Sequence, residues 1–261
     1  MASGALTVDR LCVVVHDLDA AAAHFEHLGF TLTPEGHHMV GSRNRCVMLQ
    51  DGQYLELLDP RTSEPNPVSD RYQSYLSQHG EGLAVMSLRC QDAASLAATW
   101  QEAGLSPSPV RHFSRRVDLE GALVEAEFQL VQLPPEVLPG MPHLTILACH
   151  QMTPDLVWLP GTTDHQNGTP GISMIELLSE DPRHDAQVIA QLASTYPSRR
   201  TTDGRAVHAV LLGGVQIGFV DVRAEPIAGS SLLTRIVMRG TGPVVPPLHG
   251  VSISFETVVG D

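Results

Sequence analysis

Three stretches of the chain repeat one pattern: an apolar run, an aspartate, then an alanine-rich segment whose apolar positions return at helical spacing. They are LCVVVHDLDAAAAHFEHLG, LAVMSLRCQDAASLAATWQEAG and ISMIELLSEDPRHDAQVIAQL. Each apolar run predicts a strand and each alanine-rich segment a helix. Asp17 or Asp19, Asp92 and Asp181 are placed to cap the helix starts, because a carboxylate there accepts from backbone N–H groups that have no partner inside the helix. Pro182 fits the first helical position, and Gly29 and Gly104 suit the stops. The apolar stripes are Leu18, Phe25 and Leu28 in the first helix, Leu96 and Trp100 in the second, and Val188 and Leu192 in the third. Each stripe requires a sheet beneath it.

Strand candidates follow each helix. RCVMLQDGQYLELL reads as a hairpin turning at Asp51-Gly52, LVEAEFQLVQL alternates, and AVHAVLLGGVQIGFVDV turns at Gly213-Gly214. The order is β-α-β-β-β, repeated. Successive capping aspartates stand roughly 75 to 90 residues apart, too far for the short periods of solenoids, so duplicated modules explain the pattern better. Proline-rich stretches, DPRTSEPNPV, LPPEVLPGMP and TPDLVWLPGTTDHQNGTPG, punctuate the units. The modules are assigned to residues 1–59, 80–150 and 169–261, with connectors at 60–79 and 151–168. The last strand candidate, GVSISFETV, is expected to complete the sheet of the third module.

Alternate residues of a strand face opposite sides. Leu11, Val13 and Val15 are therefore expected on the first helix, leaving Arg10, Cys12, Val14 and His16 on the other face. In YLELL the same parity sends Leu55 and Leu57 to the helix and Tyr54, Glu56 and Leu58 away from it. Arg10 and Glu56 then share a surface, where they form either a structural ion pair or part of a ligand site. Aligning the third module on Asp181 puts Glu176 in the slot of Cys12, so a second carboxylate is a candidate for a concave face. A buried carboxylate has a raised pKa, which suits a general acid or base.

Composition narrows the classes. The 261 residues are enough for a substantial core, and 43% hydrophobic against 17% charged residues marks a folding chain. Sixteen basic against twenty-nine acidic residues leave a formal net charge of −13, which repels phosphate backbones and anionic membranes. Neither nucleic acid nor a membrane is an expected partner. No apolar run nears the ~20 residues of a spanning helix and MASGALTVDR does not read as a leader, so the cytoplasm is the expected compartment. Cys12, Cys46, Cys90 and Cys149 lie scattered in apolar stretches without the spacing of zinc or redox pairs, and read as buried thiols. Hydrolase elbows, dinucleotide fingerprints and phosphate-binding glycine loops have no matching motif.

Four stretches, HDLDAAAAHFEHLGFTLTPEGHHMVGSRNRCVML, DGQYLELL, HQMTPDLVW and HQNG, carry a resemblance to the vicinal oxygen chelate superfamily. Glyoxalase I, extradiol dioxygenases and bleomycin-resistance proteins belong to that superfamily, and the chain is most similar to its glyoxalase-like domain group. The resemblance implies an α+β fold in which β-α-β-β-β modules pair into curled mixed sheets around a cavity. It also implies a divalent metal held by first-strand and last-strand residues. The first-strand ligand, a histidine seven residues before the capping Asp, is here Arg10, and the matching slots are Val85 and Met174. Glu56, in the LEL motif, is the only standard ligand retained. A single carboxylate is too few for a tight divalent site, and arginine cannot ligate. Arg10 is therefore expected to take the place of the ion, pairing with Glu56 and binding an anionic or carbonyl oxygen. No cofactor is assigned, and a divalent metal stays open only through Glu56.

Further candidates come from the same stretches. His38, Ser42 and Asn44 form either a turn or a polar ligand loop. His150 and His165 are either surface residues, proton shuttles or, if the connector folds over the cavity, further ligands of an unusual metal site with Glu56, and the base is Glu56, Glu176 or a histidine. Trp158 is a core residue, a lid or a cavity wall. The expected activity is a lyase, isomerase or epimerase that abstracts a proton next to a carbonyl of a small oxygenated molecule and stabilises the enolate. The alternatives are non-catalytic sequestration of a small molecule and metal-dependent dioxygenation. A homodimer is compatible with each.

Overall fold

Strand β1 (Thr7–Val14) gives way to helix α1 (Leu18–His27) where the Asp17 side chain accepts the Ala20 backbone N–H. In a computed structural model, which describes residues 6–119, 121–202, 205–224, 234–242, 245 and 247–256, β2 (Gly36–His38), β3 (Arg43–Met48) and β4 (Tyr54–Asp59) complete the first unit. Helix α2 (Pro67–His79) follows. The second unit is β5 (Gly82–Arg89), α3 (Ala93–Glu102), β6 (Arg111–Leu119), β7 (Ala122–Gln132) and β8 (Thr145–Gln151). The third is β9 (Ile172–Ser179), α4 (Pro182–Leu192), β10 (Ser198–Thr202), β11 (Arg205–Leu212) and β12 (Val215–Asp221), and β13 (Thr234–Arg239) and β14 (Val251–Glu256) end the series. Asp92 and Asp181 cap α3 and α4, Pro182 opens α4, and Gly29 and Gly104 stop α1 and α3 at φ +83°.

The first two units close an eight-stranded barrel in the order β1-β4-β3-β2-β6-β7-β8-β5. Within each unit the first strand runs parallel to the last, and β1 meets β5 antiparallel, so the two units face each other about a local two-fold relation. The third unit repeats the arrangement as β9-β12-β11-β10. Beside it, β13 lies antiparallel to β9 and β14 parallel to β13, in the places that β5 and β8 hold in the barrel. Eleven positions separate β13 from β14, too few for a helix and two strands, so a fourth unit is represented by its first and last strands alone. This sheet, β10-β11-β12-β9-β13-β14, stays open.

Strand parity partitions the core. Leu11, Val13, Leu55 and Leu57 pack outward with Leu18, Ala22 and Phe25 of α1, in a large cluster that also takes Ile175, Ile217 and Phe219 of the open sheet. Cys12, Val14, Cys46, Met48, Tyr54 and Leu58 form a second cluster inside the barrel. The stretch 60–79, read from sequence as a plain connector, contains α2. Asn66 caps it by accepting from the Ser69 N–H, Pro67 fits its first turn, and Tyr72, Tyr75 and Leu76 turn inward at helical spacing to plug one barrel mouth. No helix among the described residues is long and apolar enough to cross a membrane.

Phe25 is fully buried under the barrel, whereas Leu123 is exposed on β7. Phe25→Ala is expected to lower unfolding free energy by about 3–5 kcal/mol and Leu123→Ala by no more than about 0.5 kcal/mol, both read from urea unfolding curves.

Candidate active site

The register of β1 against β5 slips between Val8 and Arg10, a bulge that leaves Asp9 as the extra residue. Both side chains at the bulge find barrel partners. Asp9, fully buried, accepts from Arg89 (2.7 Å), Gln151 (2.8 Å) and Ser87 (3.3 Å). Arg10 extends over the inner wall, where its Nη1 donates to the Tyr54 hydroxyl (3.3 Å) and its Nε stands 3.1 Å from Glu56 Oε2. Glu56 sits at the middle of the wall, paired in register with Cys12 on β1 and Cys46 on β3. Its other oxygen, Oε1, accepts from Asn44 Nδ2 at 2.7 Å.

Asn44 links the carboxylate to the loop before β3. Its amide also lies 3.3 Å from His38 Nε2, and His38 Nδ1 lies 2.8 Å from the Ser42 hydroxyl. These contacts are satisfied together if Nδ1 carries the proton and donates to Ser42 while Nε2 accepts from Asn44. Gly36 makes the packing feasible: a Cβ there would overlap Asn44 Oδ1 and fall 3.2 Å from Arg115 Nη1. Arg115, from β6, completes the lining with Phe113, Phe128 and Leu130.

Electrostatics fix the protonation states. Burial alone would push the Glu56 carboxyl up, but the Arg10 guanidinium, helped by the Asn44 hydrogen bond and Arg115, holds it below its ordinary value. Burial drives His38 down to about 4, so at neutral pH it is an uncharged hydrogen-bonding group beside Glu56. The thiols of Cys12 and Cys46 are pushed up by burial and by Glu56, Cys46 to about 12. Two guanidiniums thus face one carboxylate, and the wall has surplus positive charge for an anionic or developing oxyanionic group. Arg10 Nε and Asn44 Oδ1 are buried without a well-directed hydrogen bond. The room between these groups is ≈ 20 Å³, space for about one water molecule.

The remaining sequence candidates are dispersed. Ser42 joins the cluster through His38. Glu176 lies in the open sheet, not in the barrel, where its Oε1 is 3.4 Å from Arg205 Nη2. The repeat that aligned it with Cys12 is real, but the third unit pairs with strands other than those of the first two. His150 follows the parity of Ile146 and Ala148, whose side chains pack outside the barrel, and meets Gln129 at 3.4 Å. His165 is held by backbone at both ring nitrogens, Nδ1 accepting from Thr31 N–H (3.0 Å) and Nε2 donating to Met48 C=O (2.8 Å), so it staples the 151–168 stretch to the barrel. Burial lowers its pKa. Trp158 closes the barrel mouth opposite α2, edge-on to Tyr54 and under Arg89, with its indole N–H on Gln151.

Arg115 was not singled out from the sequence, although RHFSRRVDL alternates Phe113, Arg115 and Val117 and so contained the signal. Asp9 and Arg89 were also missed, because a bulge that turns two neighbours toward one set of partners leaves no trace in alternation. The donor set does not fit a divalent cation. Glu56 has one histidine nearby and the Arg10 guanidinium against it, and no three His, Cys, Asp or Glu side chains among the described residues converge as a metal site.

Residues 8–194 match the family model described as a glyoxalase-like domain. No curated protein sequence matches the chain. Among solved structures, a hypothetical protein from Staphylococcus aureus superposes with a TM-score of 0.74 at 12% identity, covering 97% of this chain and 100% of that one. A xylose isomerase-like TIM barrel/4-hydroxyphenylpyruvate dioxygenase fusion protein gives 0.58 at 15% identity, over 92% of this chain and 37% of the fusion. A mutant of 4-hydroxymandelate synthase from Streptomyces coelicolor gives 0.54 at 15% identity, over 89% and 71%. At such identities the likeness is one of fold.

Because Glu56 is held below its ordinary pKa in the folded protein, its pairing stabilises above the unfolded value and is lost as pH falls through the folded one. Arg10→Met leaves the carboxylate buried without its ion-pair partner, and should cost about 3–5 kcal/mol at pH 7. The cost should be smaller at pH 5, where the lone carboxyl, now raised by burial, takes up a proton. Urea unfolding at both pH values checks this, and an equal loss at each would refute the pairing.

Proposed function

The chain belongs to the glyoxalase-like domain family of the vicinal oxygen chelate superfamily, and from that premise we propose that it is a lyase, isomerase or epimerase that abstracts a proton next to a carbonyl of a small anionic molecule. One observation carries the reading: an ionised carboxylate, Glu56, paired with Arg10 on the inner wall of a closed barrel, with Arg115 on the same cavity lining. Enolisation needs a base beside the acidic carbon and positive charge where the oxyanion forms. Glu56 is the base in this proposal, since its lowered pKa keeps it deprotonated at neutral pH. The guanidiniums meet the enolate oxygen, the role for which the superfamily resemblance implied a metal. Asn44 orients the carboxylate through Oε1. With Glu56 carrying the proton, its return to the same carbon after the enolate has turned its other face gives an epimer, its delivery to the neighbouring carbon an isomer, and loss of a β-substituent a lyase product.

Proton transfer is assigned to Glu56 alone among the candidates, because Glu176 is in the other sheet, His150 is outside the barrel and both His165 nitrogens are bonded to backbone. The dioxygenase alternative needs two histidines and a carboxylate on one metal, and the Glu56 surroundings offer one histidine and two cations.

Incubation of the protein in deuterium oxide with a panel of 2-oxoacids and 2-hydroxyketones, read by proton NMR, tests the reading. Catalysed loss of the α-proton signal is expected for at least one compound, with a rate nearly flat from pH 6 to 8 because Glu56 titrates below that window. Glu56→Gln should lower it by about 10²-fold or more. Binding of the compounds without exchange in the unmodified protein would favour sequestration instead.

A further inference from the structure

Among the described helices α2 alone stands outside the repeated units, and it lies across the barrel mouth formed by the starts of β5 and β8. Its Tyr75 hydroxyl donates to Leu83 C=O at 3.1 Å, and its Arg71 guanidinium donates to the Thr145 hydroxyl. Between α2 and the loop that leads into β8 is a cleft of ≈ 590 Å³, against ≈ 20 Å³ at Glu56. The first is of a size that takes an organic ligand, about 300–1,000 Å³, and the second is not.

The cleft has its own chemistry. Tyr75, His79 and His143 pack as three rings, with centroids 5.3, 5.6 and 6.4 Å apart. Burial, with His79 alongside, holds His143 at about 4, so its ring is neutral at neutral pH. Arg71 supplies a fixed positive charge on the lining. Packed rings and one guanidinium suit a flat, ring-bearing anion.

Tyr72 stands between this cleft and the interior cluster of the barrel. Its side chain lines the cleft and also packs on the interior cluster that contains Cys12 and Leu58, and its phenol lies within electrostatic reach of Glu56 and Arg10 on one side and Arg71 on the other. The two mouths of the barrel differ in how they are fastened. At the far mouth Trp158 is bonded to Gln151, which is itself bonded to buried Asp9. At the near mouth the Tyr72 ring is retained by packing alone, with no hydrogen bond from its hydroxyl to a described residue.

We propose that the α2 cleft is the outer half of the ligand site, that it receives the ring-bearing body of a planar carboxylate, and that Tyr72 is the gate through which the oxygenated end reaches Arg10 and Glu56. The proposal rests on the Arg10–Glu56 reading for its chemistry. Its test uses no turnover, so the two can fail separately.

Cys12 lies behind the gate, and Cys90 lies in the outer core. Modification by methyl methanethiosulfonate, followed at each cysteine by peptide mass spectrometry, reports access. Tyr72→Ala should speed modification of Cys12 by at least about tenfold, Tyr72→Phe should leave it unchanged, and Trp158→Ala should change it by less than about twofold. Acceleration with Trp158→Ala but not with Tyr72→Ala would place the entrance at the other mouth and overturn the proposal. If Tyr72→Ala also speeds Cys90, general loosening is responsible, and Thr145→Val decides. Freeing Arg71 from the rim should raise Cys12 modification with Cys90 unchanged, and no rise refutes the gate. Sodium benzoate, as the ring-bearing anion, should shift the His143 ring-proton resonances in the unmodified protein and not in Arg71→Ala. Unmoved resonances in the unmodified protein refute the ligand class.

Discussion

A guanidinium and a carboxylate sealed inside a barrel can stay charged only if they hold each other, and the inner wall is organised around that constraint. Removing Glu56 from water without Arg10 would force a proton onto it, and removing Arg10 without Glu56 would leave a cation that cannot neutralise. The pair has local requirements. Strand parity with Cys12 gives Arg10 its place on the wall, the bulge brings Asp9 beside it, Tyr54 takes one of its N–H groups, and Asn44 holds the second carboxylate oxygen. Asn44 fits only because Gly36 has no side chain. A single ion pair therefore accounts for residues on β1, β2, β3 and β4 that share no obvious sequence motif.

Much of this was legible in the sequence. Period-two alternation separated Leu11 and Val13 from Cys12 and Arg10, and Leu55 and Leu57 from Tyr54 and Glu56, and the two core clusters divide along that line. The aspartate caps were readable because capping is local chemistry between neighbours in the chain. What depended on remote pairing was harder. Arg115 matters because β6 joins β2, a contact between separate units that its own alternation does not announce. Glu176 occupies the repeat position of a barrel residue, yet its unit has different partners, so equivalence in sequence did not become proximity in space. His165 looked chemical until both nitrogens were found on backbone groups. The helix α2 carried its own signals, an Asn-Pro start and apolar positions at 72, 75 and 76, and was obscured by the prolines just before it.

The two sheets show one repeat put to unequal use. Both begin with an apolar strand, an aspartate-capped helix and three more strands, and both place a second first-strand antiparallel to the first. In the barrel the partner unit is whole, so strands surround the charge pair on every side. In the C-terminal sheet the partner is reduced to two strands, and Glu176 meets Arg205 in a setting that does not close on itself. The two carboxylates are equally little exposed, each beside an arginine, and differ in what surrounds them, a closed ring for Glu56 and an open sheet for Glu176.

Closure also bears on how the molecule comes apart. A ring of eight strands has no outermost member, so none can peel away without breaking pairing on two sides at once. The six-stranded sheet has two margins, β10 and β14, each held along one side by a neighbouring strand. Local opening therefore starts at those margins and works toward β9, with amide exchange following in that order, while the ring around Glu56 persists as the slowest-exchanging part of the chain.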